Sequence, residues 1–562
     1  MTFPADSQGE KNEPAVQTSL ARFSLKQYHH LLKCGKGVAG GCLDTNPEKA
    51  LAQSGSSLWT RVPLRPVHFV LAAIIAAVVL VGALEHRPSL KDDFDPVRDS
   101  EFAATWDKRV HIVYWEKWGS FEREACQAMV DAFNRSQNDV FVHYINTSQV
   151  DRKTMLAIMG GDPPEVAGLW ATNVPPFAEA GGLMDLDGFM AKSGLSRDRY
   201  TPNYLKLGTY DDKVYALPTT PASVALFYNK EHFRAKAAEL RAAGLDPERP
   251  PQTTEEIDRY AAVLNEFDKD GRPLKMGFLP TEPGWFNWTW GFYFGGRLFD
   301  EENGRITADD PRNVDALVWV KRYAERYGRE KLLQFRSGFG NFDSPQNAFI
   351  DGAVSMEMQG VWFSNFIRRH RPHMEFGVAP FPTAEGVPGP VSLVDADVIT
   401  IPKGCRHPEE AWRFVEFSQR DGLAIICRLQ GKHMPVKEPP PNFRDGHPNL
   451  ELDVFEKVAA SPHAFIQPRT AVWREYQHDL GTAFDHIWNW PVPEDELPGL
   501  SDEARRKASM QARQKKVDEL CRAEIERTLK DITVRIQNRL DKKHSRDELQ
   551  AESVTESAEN RR

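Results

Sequence analysis

Cysteine is scarce in this chain. Six residues (Cys34, Cys42, Cys126, Cys405, Cys427 and Cys521) are scattered through 562. They are too few for a disulfide scaffold, and no C-x-x-C pair suggests a zinc site or a thioredoxin-like motif. Excess positive charge is also missing: 71 Lys and Arg against 80 Asp and Glu leave a net charge of -9. Coating a nucleic acid relies on phosphate neutralisation, so no nucleic-acid partner is expected. The chain has no G-x-S-x-G, no H-E-x-x-H and no phosphate loop. Gly35-Lys36-Gly37-Val38-Ala39-Gly40 matches G-x-G-x-x-G. No convincing strand precedes it, and Gly41, Asn46 and Pro47 spoil a following helix, so the match is set aside. No cofactor and no metal ion are expected.

Long apolar runs are nearly absent. The exception is Phe69 to Leu84, FVLAAIIAAVVLVGAL, which has no polar side chain. With Val67 it is just long enough to cross a bilayer. Arg61 and Arg65 precede it, and Glu85, Asp92, Asp93 and Asp95 follow it. That flanking pattern places the N-terminus inside and the large C-terminal part outside. The expected organisation is a poorly structured extension (1–66), a transmembrane helix or signal-peptide core (67–84) and a linker (85–107). A start near Val62 or Leu64 would make the run a cleaved signal with a Val81-x-Ala83 site. The mature domain is exported in either case, anchored to the inner membrane or free in the periplasm or outside the cell.

What the chain has in abundance is aromatic surface. Thr281 to Gly296, TEPGWFNWTWGFYFGG, gathers Trp285, Phe286, Trp288, Trp290, Phe292, Tyr293 and Phe294 beside Pro283. Flat rings stack on the C–H faces of pyranoses and lose little rotamer entropy, so the tract points to carbohydrate recognition. A plain core is the competing reading.

The exported part alternates between strand and helix. Val110 to Trp115 reads as a strand, Phe121 to Ser136 as a helix with Ser120 as N-cap, and Val140 to Ile145 as a strand. A short helix from Lys153 to Met159 and a strand from Glu165 to Trp170 follow. This order predicts a parallel α/β sheet with ligands beyond the carboxyl ends of its strands. Trp115, Glu116, Lys117 and Trp118 fall at one such end, and Trp170, Thr172 and Asn173 at another. Val214 to Asn229 reads as two strands around a Pro-rich bend. Thr253 caps a helix, Phe349 to Met358 is a turn then a strand, Val398 to Ile401 is a strand, and His407-Pro408 opens a helix. Val517, Cys521, Ile525, Leu529, Ile532, Ile536 and Leu540 recur at helical spacing, which predicts one long amphipathic helix. Residues 541–562 read as a polar tail.

Several local patterns together resemble the extracellular solute-binding proteins of ABC importers, the group that includes maltodextrin-binding proteins. Gly161-Asp162-Pro163-Pro164-Glu165-Val166 with Gly182-Leu183-Met184-Asp185-Leu186 is similar to the family's G-x-x-P-D-V … G-x-L-x-D-L. Lys213 to Pro218 with Leu226-Phe227-Tyr228-Asn229-Lys230 looks like its hinge strand. Phe349 to Trp362, and Ile401-Pro402-Lys403-Gly404 with Pro408-Glu409-Glu410-Ala411-Trp412, match two further runs. The resemblance implies a two-lobe α/β periplasmic-binding-protein fold of type II. Lobe one would span 108–220 and 391–437, and lobe two 221–390 and 438–540. It also implies closure on a ligand about a hinge, and partnership with a permease and its ATPase. Trp170, Trp362 and Trp473 fall where maltodextrin-binding members stack sugars. Trp285 and Glu282 lie near a further aromatic and acidic position, and Asp395 and Asp397 precede Val398 where small residues are expected. Ala222 stands where those members carry an acid, which leaves the sugar open.

Two other classes remain. The anchor suits a membrane-tethered sensor or co-receptor. Asp395 and Asp397, two apart on a strand, suit an exported glycoside-processing enzyme with paired carboxylates.

Overall fold

A computed structural model describes residues 100–498 and 506–559 of the chain. The glycine-rich match at 35–40, the apolar run Phe69–Leu84 and the 1–66 extension lie outside the described residues. Among the described residues no helix is long and apolar enough to cross a membrane.

Two five-stranded sheets organise the molecule. The strands used below are β1 (Val110–Glu116), β2 (Val140–Asn146), β3 (Val166–Trp170), β4 (Ala216–Pro221), β5 (Val224–Asn229), β6 (Glu266–Phe267), β7 (Pro273–Phe278), β8 (Val354–Gly360), β9 (Phe376–Ala379) and β10 (Ala396–Thr400). The first sheet has the order β2-β1-β3-β10-β4, and the second β9-β5-β8-β7-β6. The helices are α1 (Ser120–Ser136), α2 (Val150–Met159), α3 (Val174–Glu179), α4 (Pro202–Leu207), α5 (Pro311–Tyr327), α6 (Phe363–His370), α7 (Pro408–Gln419), α8 (Asp421–Leu429), α9 (Trp473–Asn489) and α10 (Arg506–Glu559).

The first sheet is mixed, not parallel throughout. β1 runs parallel to β2 and β3, as the strand–helix–strand order requires, but β10 is antiparallel to both β3 and β4. β10 arrives from the second sheet, so no short crossover within the first constrains its direction. Its two faces carry separate cores. Ile112, Tyr114 and Val142 pack with Phe414, Leu423 and Ile426 of α7 and α8. Ala167, Leu169 and Val398 pack with Val150, Val174 and Phe177. In the second lobe Met276, Phe278 and Met356 pack with Ile257, Tyr260, Trp290 and Trp319.

Several boundaries differ from the sequence reading. Gly119, not Ser120, takes the N-cap place of α1, and no side-chain cap bond forms. A short helix, Ala348–Asp351, replaces the expected turn before β8; Asn347 caps it by accepting from the Phe349 and Ile350 amides. The end of the presumed linker packs on the fold: Phe102 and Trp106 bury their rings against Phe141 of β2. The presumed polar tail is helical as far as Glu559.

The lobes are joined where β4 passes into β5 through Ala222 and Ser223. A second crossing leads into β10 beside the first: the Ala222 amide donates to the Asp395 carbonyl (2.7 Å) and the Val224 amide to the Leu393 carbonyl (3.2 Å). A buried knot ties this hinge to a third segment. The Tyr204 hydroxyl of α4 lies 2.5 Å from Ser223 Oγ and 2.7 Å from His433 Nε2. Burial pushes the His433 imidazole down to about 3, so it stays neutral.

Candidate functional site

The carboxyl end of β1 turns into the first lobe's floor. Glu116 is buried beneath this loop. It accepts from the Tyr114 hydroxyl (2.5 Å) and from the Lys117 amide (2.8 Å). Its carboxylate occupies the space over Gly168 of β3, where any Cβ would come within 1.8 Å of Oε2. A glycine inside a strand was therefore a legible sign of close approach, and the sequence reading passed over it.

Lys117 reaches across this carboxylate. Its side chain is only 2% exposed, and Nζ lies 3.1 Å from Glu116 Oε1 and 3.0 Å from Asp397 Oδ1. Its third donor faces the Leu169 carbonyl at 3.4 Å. Burial works against the ammonium, but Asp397 and Glu116 outweigh it and hold the group protonated above the usual lysine range. Asp397 also accepts from Thr220 Oγ1 (2.6 Å) and from the Trp118 indole N–H (3.2 Å). Lys432, from the segment after α8, joins Glu122 at 3.3 Å and Asp397 at 3.9 Å. Glu116, Lys117, Trp118 and Asp397 thus spend their polar atoms on one another. They form a connected polar floor at the strand ends, the place where the sequence predicts ligand contacts from them.

On this floor stands Trp170, the last residue of β3 and the register partner of Asp397. Its ring is 38% exposed. Lys117 Nζ lies 5.2 Å from its centroid and 4.9 Å from that of Trp118. Cation–π attraction fixes the ring plane from below. The turn Ala171–Asn173 follows, with Thr172 half-buried and Asn173 buried with Oδ1 unpartnered. Asp395, one residue before β10, is half-buried. Its Oδ1 accepts from the Ala396 amide at 2.8 Å, and burial pushes its carboxyl up to about 7. It lies beside Ala222, so a carboxyl group stands at the hinge even though the hinge strand itself carries none.

The second lobe offers an aromatic wall. Trp285 is 43% exposed, its ring edge-on to Phe342 at 4.9 Å and 6.3 Å from that of Trp362. Trp362 is half-buried against Gly360, where a Cβ would clash with the indole at 2.1 Å. Glu282 is bound to the Arg336 guanidinium, and Arg336 also donates to the Thr281 carbonyl at 3.1 Å. Burial raises the Glu282 carboxyl and Arg336 opposes it. Behind them, buried Glu357 accepts from Gln359 Nε2 (2.7 Å), while its Oε2 and the Gln359 Oε1 have no partner. Burial, with Glu282 adding, pushes Glu357 up to about 8, which makes it mostly neutral at pH 7.

Two expected platforms face inward. Trp473, at the first turn of α9, is 1% exposed and packs edge-on to Trp288 at 5.0 Å. Trp115 alternates to the opposite face of β1 from Tyr114 and packs on the core around Ala167 and Leu169. The aromatic tract divides likewise: Phe286, Trp290 and Tyr293 are core, and Trp285 is its exposed member.

Residues 120–424 match the family described as bacterial extracellular solute-binding protein. The chain belongs to this family. It is similar to the maltotriose-binding protein of Pyrococcus abyssi (strain GE5 / Orsay), 22% identical over 379 residues, which is 64% of this chain and 75% of that protein. Among solved structures, CpMnBP1 with mannotriose bound is similar at a TM-score of 0.60 and 23% identity, covering 74% of this chain and 100% of that one. UgpB from Mycobacterium tuberculosis in complex with glycerophosphocholine is similar at a TM-score of 0.58 and 18% identity, covering 77% and 99%. At these identities the structural likeness carries the fold: two α/β lobes around a hinge.

Proposed function

We propose that the chain is the substrate-binding component of an ABC importer, takes a neutral carbohydrate between its lobes, and delivers it to a permease and its ATPase. The observation that carries this reading is Trp170: a large exposed ring at a strand's carboxyl end, fixed from below by an ammonium whose charge is already neutralised. Such a platform favours a stacked sugar ring over an anion. Trp285 and Trp362 supply the facing wall, with Asp395, Thr172 and Glu282 as polar partners for hydroxyls. Glu116, Lys117, Trp118, Asn173 and Asp397 position that surface, and Trp115 and Trp473 support it from the core. The lobes are divided as 108–220 with 391–437 and 221–390 with 438–540. A relative named for maltotriose binding supports the ligand class, and no catalysis is proposed. The binding domain works outside the cytoplasm, tethered through Phe69–Leu84 or released from it.

The test is a thermal melt of the full chain with Trp fluorescence against maltotriose, mannotriose, monosaccharides and glycerophosphocholine. A ligand that binds only the native state raises the melting point by mass action. A saturable shift with one sugar class, without hydrolysis, is expected. A shift with glycerophosphocholine alone would overturn the carbohydrate reading.

A further inference from the structure

α10 is packed into the second lobe along its middle stretch, from Val517 to Leu540. Val517, Cys521, Ile525, Leu529, Ile532, Ile536 and Leu540 are buried, the last four with Ile525 in one core with α9 and α5 residues such as Tyr476, Leu480 and Val314. Polar ties fix its direction. Glu524 meets His486 (2.7 Å), Arg535 meets Asp479 (2.5 Å) and Arg539 meets Glu475. Numbers rise along α10 as they fall along α9, so the helices are antiparallel and the stretch of α10 around Arg539 lies beside the start of α9.

There the contacts change lobe. One turn past Leu540, Lys543 Nζ bonds the Glu179 carboxylate at the end of α3 in the first lobe. Beside it, Arg474 in the first turn of α9 lies 3.4 Å from Asp151 in the first turn of α2. Both ties join the second lobe to the first, and α3 follows Trp170 directly through the turn Ala171–Asn173. An ion pair has a reach of a few ångströms, so neither tie survives a separation of the lobes.

We propose that α10 is a brace on the hinge: Lys543–Glu179, with Arg474–Asp151, favours the closed arrangement of the lobes. The brace rests on the reading of the chain as a two-lobe receptor that closes on its ligand. A ligand that needs the closed form binds more tightly when that form is already populated. Exposed ion pairs are individually weak, so losing one weakens apparent affinity about two- to five-fold.

The test uses the full chain and the variants Lys543→Glu, Glu179→Lys and the double swap. Amide hydrogen exchange of segment 171–180 is measured without ligand, and maltotriose and mannotriose are titrated. Each single reversal is expected to speed exchange in that segment and weaken trisaccharide binding about two- to five-fold, while the swap restores both. Unchanged exchange in the single variants overturns the brace, as does tighter binding, which would mean that the pair holds the lobes apart. Exchange that responds and recovers in a chain that binds neither trisaccharide supports the brace and instead removes the carbohydrate reading.

Discussion

Under Trp170, in the first lobe, each charged group has a partner of opposite sign. Behind Trp285 and Trp362, in the second, Glu357 keeps one carboxyl oxygen and Gln359 its amide oxygen without a partner. Both regions lie near strand ends, and both carry buried acids. The first lobe pairs its acids with Lys117 and Lys432. The second lobe protects Glu282 with Arg336 and leaves Glu357 to be neutralised by a proton. A fully paired buried network is rigid, and an underpaired one is open to an added donor or to a change of protonation. The floor under the lobe-one platform is thus built for fixed geometry, and the wall of lobe two for adjustment.

The harshest way to break the comparison is to unpair the floor. Asp397→Ala leaves the Lys117 ammonium buried with Glu116 as its remaining acid, and also strips Trp118 and Thr220 of their acceptor. Removing one partner of a buried ion pair costs about 3–5 kcal/mol, so urea unfolding is expected to show a loss of that size. Lys117→Met combined with Asp397→Leu removes both charges and is expected to cost less than the single change. A loss below about 1 kcal/mol for Asp397→Ala would mean that water enters the floor and that its order does not depend on the pairs.

In the second lobe the expected response is to pH. Glu357, held at about 8, binds its proton more tightly than the same residue in the unfolded chain. Between the two values the native state carries more protons than the unfolded one, so this group's contribution falls as pH rises from about 4.5 to 8. Asp395, at about 7, acts in the same direction over a lower window. Glu357→Gln removes the titration while keeping the shape. It is expected to gain about 1–3 kcal/mol at about pH 8.5 relative to the parent, and almost nothing at about pH 5. Chemical denaturation at both pH values checks this. An equal effect at both would mean that the orphaned oxygen is satisfied by water and that the carboxyl ionises normally.

Local pattern carried the sequence reading a long way. The 3.6-residue period gave α1 and the buried seam of α10, alternation gave β1, and the strand–helix–strand order gave β2 and β3, each to within a residue or two. The exposed place of Trp170 was legible because a strand ends there. What stayed hidden depends on distant partners. The direction of β10 is set by a crossing from the other lobe. Trp473 looks like a platform in sequence, and Trp288, far away in the chain, is what buries it. The helical end of α10 has no apolar seam to reveal it, but 541–559 contain neither Gly nor Pro and are rich in good helix formers, so the helix simply continues. The saturation of Lys117 was invisible because Asp397 and Glu116 meet only in three dimensions.

The finest cut separates the two exposed rings themselves. Trp170 and Trp285 present similar areas, but Lys117 fixes one from below while aromatic edges support the other. Trp170→Ala is expected to reduce trisaccharide affinity by about 1–2 kcal/mol and Trp285→Ala by about 1 kcal/mol, each with little change in the unliganded melting point. Isothermal titration with maltotriose and mannotriose reads both. The larger loss is assigned to Trp170 because a ring already held in plane loses less freedom when a sugar lands on it. If Trp285→Ala costs more, the adjustable wall is the primary grip, and the ordered floor serves folding more than binding. Equal losses would mean that both rings stack sugars in the closed form and that the difference in their support does not reach the ligand.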